Sequence, residues 1–259
     1  MIMVIYQTYL CGKYSVDGVE RPTVLYSPSV KTVKTKVAIR VQGFVESANL
    51  GPLGNWDGRE QNASTASQHI TLHSGGIAAP FRAQLEALEE LRYGILSFMC
   101  HETDSAVRLS SMETIQLSRR VFHKIPLVPR KEIRNALRAG DDPRGKAAKI
   151  AERWRVPVRI GLGLQREDGK IVHTSHIGVR KGDFVDVSFT PEIITKRSRQ
   201  GTHVELKFDI QDVMRLYTRN EFSDEVLALL SPDCSDEPNV VVDCAESGFA
   251  FENDAMLTT

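Results

Sequence analysis

Four of the seven histidines occur in two pairs whose spacing could bring imidazoles together. His69 and His73 are four residues apart, and His173 and His176 are three apart. A zinc site needs ligands that converge on one point. On a strand, residues i and i+4 share a face but lie about 13 Å apart, and residues i and i+3 point to opposite faces. Neither pair favours a metal site, and we predict no bound metal or cofactor.

Motifs for other chemistry are also missing from the sequence. There is no G-x-S-x-G nucleophile turn, and Gly161 and Gly163 lie inside a strand pattern with no helix after them. These two glycines favour a bulge or a close backbone contact over a phosphate-binding loop. The scattered cysteines indicate free thiols in a reducing compartment. They are Cys11, Cys100, Cys234 and Cys244. We therefore expect a protein that is not an enzyme.

The clearest chemical signal is the distribution of charge. The chain has 33 basic and 33 acidic side chains, but residues 119–199 hold 20 Lys or Arg against 9 Asp or Glu. Clustered cations neutralise phosphates without regard to base sequence. We predict a polyanion-binding face; the alternative is a set of ordinary solvated helix faces. The predicted polyanion-binding residues are Arg130, Lys131, Arg134, Arg138, Arg144, Lys146, Lys149, Arg153, Arg155, Lys196, Arg197 and Arg199.

Two further segments are candidates for contact with a partner. Residues 221–259 hold 10 Asp or Glu and no Lys or Arg, which predicts an acidic tail over 233–259 that is flexible or ordered only on docking. Residues 49–65 concentrate Gly, Pro, Asn and Ser and predict a long loop with Trp56 at its crown. We take Trp56 as a candidate partner- or membrane-contacting residue. The alternative is that its indole fixes the loop to the core.

The hydrophobic periodicity of the first half predicts strands and one long helix. Phe81, Leu85, Leu88 and Ile95 lie on one stripe of an amphipathic helix over residues 80–95. Alternating patterns predict strands on both sides of this helix. They fall within residues 1–46, 68–73, 95–100, 106–109 and 114–123.

The second half begins with two short helices, starting at Pro129 and Pro143, that would carry much of the basic block. A three-stranded meander is predicted next, over residues 156–189, with an Asp-Gly turn at Asp168 and Gly169. A strand at 202–208 and short helices at 209–217 and 222–230 complete the pattern.

The resulting fold class is α+β, with largely antiparallel sheets, one long amphipathic helix and several short helices. We expect one domain over residues 1–232, with a subdivision near 126–156 as the alternative. No apolar run approaches the roughly 20 residues that span a bilayer. The N-terminal segment lacks the basic region and cleavage site of a secretory signal. The chain is therefore expected to be neither secreted nor transmembrane.

The order of these features resembles that of rhabdovirus matrix proteins. The matching stretches are KTKVAIRVQGFVE, PFRAQLEALEELRYGILSF, FHKIPLVP, VPVRIGLGL and EFSDEVLALL, within residues 33–230. None of these stretches is a specific motif. The lysine-rich N-terminal arm and the proline-rich budding motifs of that family are absent. The resemblance implies a protein that condenses nucleocapsid, contacts the inner membrane leaflet and self-associates.

The leading hypothesis is therefore a viral structural protein that is not an enzyme. It would bind nucleocapsid, RNA or an anionic membrane through its basic face, self-associate, and reside in the virion and in the host cytoplasm or nucleus. One alternative is an interaction adaptor or suppressor of host defence that binds a protein through the tail and the Trp56 loop. The other is a hydrolase or nuclease whose site the linear spacing conceals.

Overall fold

The computed structural model describes residues 10–16, 19–27, 35–36, 38–98, 113–125, 135–138, 140–166, 168–198 and 201–221. Their strands are β1 (Leu10–Val16), β2 (Val19–Ser27), β3 (Thr35–Lys36), β4 (Ile39–Asn49), β5 (Ser67–His73), β6 (Thr114–Arg120), β7 (His123–Lys124), β8 (Trp154–Arg155), β9 (Gly161–Gln165), β10 (Ile171–His173), β11 (Phe184–Ser198) and β12 (Gly201–Tyr217). The helices are α1 (Ala78–Phe98) and α2 (Lys146–Lys149), with 3-10 turns at Glu60–Asn62 and His176–Gly178. The α+β class with a largely antiparallel sheet is confirmed.

Five of these strands form a barrel. β4 pairs antiparallel with β5 and β5 with β6, while the other edge of β4 pairs with β11 and β11 with β12. β6 and β12 therefore run in the same direction, and they pack side by side. Arg119 on β6 bridges them, because its Nη1 donates a hydrogen bond of 2.8 Å to the Ile210 carbonyl on β12. This five-stranded, partly open Greek-key barrel has the arrangement of the OB fold.

The interior of the barrel follows from the alternation of apolar residues along its strands. Ile70 and Leu72 on β5 and Ile115 and Leu117 on β6 are at most 2 % exposed and share one core. α1 covers this core with the predicted stripe, of which Phe81 and Leu88 belong to the same cluster. The long amphipathic helix is confirmed, although it continues to Phe98. Residues 95–98, predicted as a strand, form its last turn.

A second, smaller core lies beside the start of β5 and the end of β6. It joins the loop between β4 and β5 to α2 and to the short β7–β8 ladder. Its buried members are Ala63, Ala66, Val121, Phe122, Ala147, Ile150 and Val156. The loop between β4 and β5 is thus packed against the rest of the molecule.

The remaining strands extend the sheet from the barrel. β9 and β10 form a hairpin across the predicted Asp-Gly turn, and β9 pairs parallel with β12. β10 does not pair with β11, so the predicted three-stranded meander is wrong. β2 pairs with β1 and β3 and meets β11 at one position, Val24 opposite Glu192.

The predicted short helix over residues 209–217 is also wrong, because these residues belong to the 17-residue strand β12. Ile210 lies opposite Phe189 and Asp212 opposite Ser188, so Gln211 is an extra residue in a β-bulge. The bulge places Ile210 and Val213 on the same buried side. An apolar spacing of three, typical of a helix, here results from an interrupted period of two.

The basic helices predicted from Pro129 and Pro143 are largely not observed. Residues 135–138 of the first are not helical, and the second is reduced to the four residues of α2. Residues 99–112, 126–134 and 222–259 lie outside the described part of the chain, with the tail and the helix predicted at 222–230. Within the described part, no helix has both the length and the hydrophobicity to span a membrane.

Candidate functional site

The outer surface of β4, β5 and β6 carries a continuous set of polar side chains. Because neighbours on a strand alternate between faces, the residues that flank the buried Ile70 and Leu117 point outward. The strand register aligns them in cross-strand rows. The outward side chains are Ser47, Asn49, Ser67, His69, Thr71, Gln116, Ser118 and Arg120, and we call this set the polar face. An exposed carboxylate, Glu46, lies directly before Ser47 in the β-bulge of β4, beside this set.

The polar face is accessible and rich in hydrogen-bonding groups. Ser47, Gln116 and Arg120 are exposed, and the other members are half-buried. His69 lies opposite Ser118, and Ser67 lies opposite Arg120. Hydroxyl, amide and imidazole groups can donate and accept hydrogen bonds, and the guanidinium adds a positive charge. Such a polar, partly cationic surface is suited to an anion that also carries hydrogen-bonding edges.

The basic residues described between 138 and 155 lie next to one end of the polar face. We call Arg138, Arg144, Lys146, Lys149, Arg153 and Arg155 the basic segment. Lys146 Nζ donates to the Asp57 carbonyl over 3.4 Å, and Arg153 forms an ion pair of 3.3 Å with Glu60. These contacts hold the segment against the loop that leads into β5. Arg144, Lys149 and Arg153 are exposed.

Two carboxylates organise this region. The Asp142 side chain accepts hydrogen bonds from the backbone N–H groups of Lys146 and Ala147, at 2.9 and 2.7 Å, and so fixes the start of α2. The backbone N–H of Arg59 donates to Asp57 Oδ1 over 2.9 Å and keeps the pKa of Asp57 below its ordinary value. Asp57 is thus ionised at neutral pH.

The remaining predicted polyanion-binding residues are only partly placed. Lys196 and Arg197 lie on β11 near its hairpin with β12, and only their backbone is described. Arg130, Lys131, Arg134 and Arg199 lie outside the described residues. The binding role of the whole set stays a prediction.

Trp56 packs inward from its loop. Its ring meets that of Phe122 edge-on, with centroids 4.8 Å apart, and its Nε1 donates to the Arg59 carbonyl over 2.8 Å. The indole is half-buried against the second core. This geometry agrees with the alternative interpretation of the sequence, in which the Trp56 indole fixes the loop to the core instead of contacting a partner.

Four rings form a row across four adjacent barrel strands. His73 on β5, Phe44 on β4, Phe184 on β11 and Tyr217 on β12 occupy one level of the register. Consecutive ring centroids are 6.0, 5.0 and 6.4 Å apart. We call these four residues the ring row. It starts at the edge of the polar face and ends at Tyr217, which is 50 % exposed.

A group of cations surrounds the Tyr217 end of the ring row. The carboxylate of Asp183 is buried and accepts backbone hydrogen bonds from Arg180, at 2.8 Å, and from Arg219, at 3.3 Å. It therefore ties the turn before β11 to the turn after β12 and brings both arginines together with Lys181. In the described part of the chain, no carboxylate forms an ion pair with any of these three cations.

A second acidic group, besides Asp183, lies close to these cations. The backbone N–H of Thr218 donates to Glu221 Oε2 over 2.6 Å, and this bond, with the nearby charge of Arg215, keeps the pKa of Glu221 below its ordinary value. Arg215 itself donates to the Gly178 carbonyl over 2.8 Å. This end thus holds four cations, Arg180, Lys181, Arg215 and Arg219, beside the carboxylates of Asp183 and Glu221.

The structure places the two histidine pairs differently, and only His69 and His73 lie on one strand as expected. His69 and His73 share the outer face of β5, while His173 ends β10 and His176 begins a 3-10 turn. Among the described residues, no three His, Cys, Asp or Glu side chains are grouped so that they could hold a metal ion. Gly161 makes the close contact expected of it, since an added Cβ would lie 2.1 Å from Asp212 Oδ1.

The polar face and the ring row were not identified from the sequence. The alternation of polar and apolar residues along β5 and β6 separates the outward His, Thr, Ser and Gln side chains from the buried ones. The polar face could therefore have been predicted from the sequence. The ring row could not. Its members lie at positions 44, 73, 184 and 217, and only the strand register brings them to one level.

No protein-family model and no curated protein matches the chain. Among solved structures, it is similar to gp2.5, a single-stranded DNA-binding protein encoded by bacteriophage T7, with a TM-score of 0.42 and 9 % identity over 80 % of this chain and 98 % of that one. It is also similar to the single-stranded DNA-binding protein from bacteriophage Enc34, with a TM-score of 0.35 and 10 % identity over 83 % and 93 %. The structure of that protein in complex with single-stranded DNA matches with a TM-score of 0.32 and 13 % identity, over 77 % of this chain and 98 % of that one.

These similarities contradict the function predicted from the sequence. The matching structures are phage single-stranded DNA-binding proteins, whereas the prediction was a matrix-like structural protein associated with nucleocapsid and membrane. That prediction was wrong because it used only the order of elements along the chain. Element order does not determine which strands pair, and pairing defines the fold.

Proposed function

We propose that this protein binds single-stranded nucleic acid across its polar face, with phosphates contacted by Arg120 and by the basic segment at one end. The observation that carries the proposal is the polar face itself, an outward surface of hydroxyl, amide, imidazole and guanidinium groups that lies beside a group of exposed cations. Strands two and three of OB folds are a common surface for oligonucleotides and oligosaccharides. Fold alone does not assign a ligand, so the proposal depends on the side chains.

The charge of the surface favours nucleic acid over a neutral sugar. Arg120 is exposed at the end of β6, and Arg144 and Lys149 are exposed in the basic segment. Each phosphate contact releases counterions, so binding should weaken as salt rises. The hydroxyl and amide groups of the polar face can meet base edges only where the bases are not already paired. An unpaired strand presents those edges, and His69 offers a ring on which a base can stack.

The test is binding of the full chain to a fluorescently labelled oligo-dT of about 16 nucleotides, the upper site size of one OB fold, followed by fluorescence anisotropy. We expect binding whose logarithm falls linearly with log salt, with a slope of about −0.7 per phosphate contacted. Arg120→Glu combined with Lys149→Glu should weaken binding at least about 10-fold at ~0.15 M salt and make the slope shallower. Arg82→Glu, which reverses an exposed cation on α1, is the control and should bind as the unaltered protein does.

Three outcomes would contradict the proposal. One is no binding even at low salt, and another is equal weakening by Arg82→Glu and by the double reversal. The third is preferential binding of vesicles that contain anionic lipid, which would assign the cations to a membrane surface. The self-association, viral origin and cellular location predicted from the sequence stay predictions.

A further inference from the structure

We infer that the Tyr217 end of the ring row is a second nucleotide subsite, which stacks one base on Tyr217 and binds the flanking phosphates through Arg180, Lys181 and Arg219. This inference rests on the proposed function and extends it beyond the polar face. It predicts that a bound strand crosses β4 and continues over β11 and β12, instead of ending on β5 and β6.

The ring row presents an aromatic surface at Tyr217. Tyr217 is half exposed, and its ring is supported by Phe184 at 6.4 Å, which is supported in turn by Phe44 at 5.0 Å. Phe44 is only 7 % exposed, so the ring row is anchored in the barrel and reaches the surface at Tyr217. An exposed ring with ordered rings beneath it loses little conformational freedom when a base stacks on it. Base stacking on aromatic side chains is tolerant of sequence.

Three exposed cations lie at the same end of the barrel as Tyr217. Arg180, Lys181 and Arg219 are exposed, and the buried carboxylate of Asp183 fixes the backbone of both arginines. Asp183 is followed directly by Phe184, so the cations and the rings are positioned by one short stretch of chain. A base on the ring and phosphates on the adjacent cations is the chemistry of a nucleotide within a strand.

The opposite end of the ring row lies beside the polar face. His73, at the other end of the ring row, lies opposite Thr114 on β6 and two residues from Thr71 of the polar face. The imidazole is held in place, because its Nδ1 accepts a hydrogen bond of 3.0 Å from the Gly75 backbone. The ring row and the polar face therefore adjoin at His73.

The experiment measures anisotropy of the same labelled oligo-dT with three variants of the full chain. Tyr217→Ala should weaken binding by about 5- to 140-fold, the equivalent of one lost base stack. Tyr217→Phe keeps the ring and should bind as the unaltered protein does. Tyr93→Ala removes a tyrosine that is 65 % exposed on α1 and is the matched control. Equal affinities for Tyr217→Ala and Tyr93→Ala would overturn the subsite while leaving the proposed function in place.

A second measurement keeps the test decisive if Tyr217→Ala does not fold. The unaltered protein is photo-cross-linked to an oligonucleotide that contains 5-iodouracil, and the adducts are located by mass spectrometry. Adducts at Tyr217 or Phe184 support the subsite, and adducts confined to β5 and β6 overturn it. Lack of any oligonucleotide binding by the unaltered protein would instead contradict the proposed function, so the two failures are distinguishable.

Discussion

At the scale of single residues, the buried carboxylate of Asp183 decides the geometry of the Tyr217 end. It is 3 % exposed and receives backbone hydrogen bonds from both sides of the β11–β12 pair. A charged acceptor pairs more strongly with N–H donors than a neutral one does. The same residue thus stabilises two turns and aligns the arginines that they carry.

We expect Asp183→Ala to lower the free energy of unfolding by about 1–3 kcal/mol, because it leaves backbone N–H groups without an acceptor in a buried site. The measurement is urea denaturation followed by circular dichroism. Asp168→Ala is the control, since Asp168 also accepts a backbone hydrogen bond, from Lys170, but lies in an exposed turn. If both variants lower the free energy of unfolding by a similar amount, burial of Asp183 is not the cause of the destabilisation.

At the scale of elements, the loop between β4 and β5 shows how a segment rich in turn-forming residues becomes fixed. Trp56 packs on Phe122, and the Ser67 backbone N–H donates to the Asn55 side chain over 2.8 Å. Gly54 has a φ of +55°, and a Cβ there would lie 2.3 Å from the Ser67 carbonyl oxygen. Both the backbone conformation and the close approach of β5 require glycine.

Gly54→Ala should therefore destabilise the protein by at least about 1–2 kcal/mol, the cost of the left-handed conformation, with the backbone clash added to it. The change is measured as a shift in the thermal unfolding midpoint. Gly140→Ala is the matched control, because no atom lies within 4 Å of the added Cβ and its φ is not in the left-handed range. If the two variants unfold at the same temperature, the loop is not held against β5 as described.

At the scale of the whole molecule, neighbouring arginines on β6 have opposite roles. Arg119 points to the seam between β6 and β12, where it donates to the Ile210 carbonyl, and its side chain is 11 % exposed. Arg120 points outward on the polar face. Because strand neighbours alternate between faces, one guanidinium stabilises the closure of the barrel and the next is available to a ligand.

Arg119→Met should lower the free energy of unfolding by about 1–3 kcal/mol through loss of a hydrogen bond from a charged donor, with little change in oligonucleotide affinity of the folded protein. Arg120→Met should weaken oligonucleotide binding and change the free energy of unfolding by no more than about 0.5 kcal/mol. Chemical denaturation and anisotropy on the same two variants measure both effects. The assignment of the two arginines would be disproved if each variant lost stability and affinity to the same extent.

The local pattern of the sequence accounts for much of this molecule. The helical stripe from Phe81 to Ile95 and the alternation of residues 68–73 predicted α1 and β5, because burial of one face has a period that can be read along the chain. The excess of cations between residues 119 and 199 was likewise visible without a structure. These properties depend on residues close in sequence.

Other features were decided by the tertiary structure alone. The pairing of β4 with β11 depends on contacts between residues at least 140 positions apart, and the bulge at Gln211 on contacts between residues more than 20 positions apart. The pairing of β4 with β11 brings Phe44 to Phe184. The pairing of β11 with β12, with its bulge, makes residues 209–217 a strand although their apolar spacing resembles that of a helix. Composition and periodicity contain no information about register, because many pairings bury the same apolar residues. Packing of the whole barrel selects one of them, and with it the surface on which a ligand can bind.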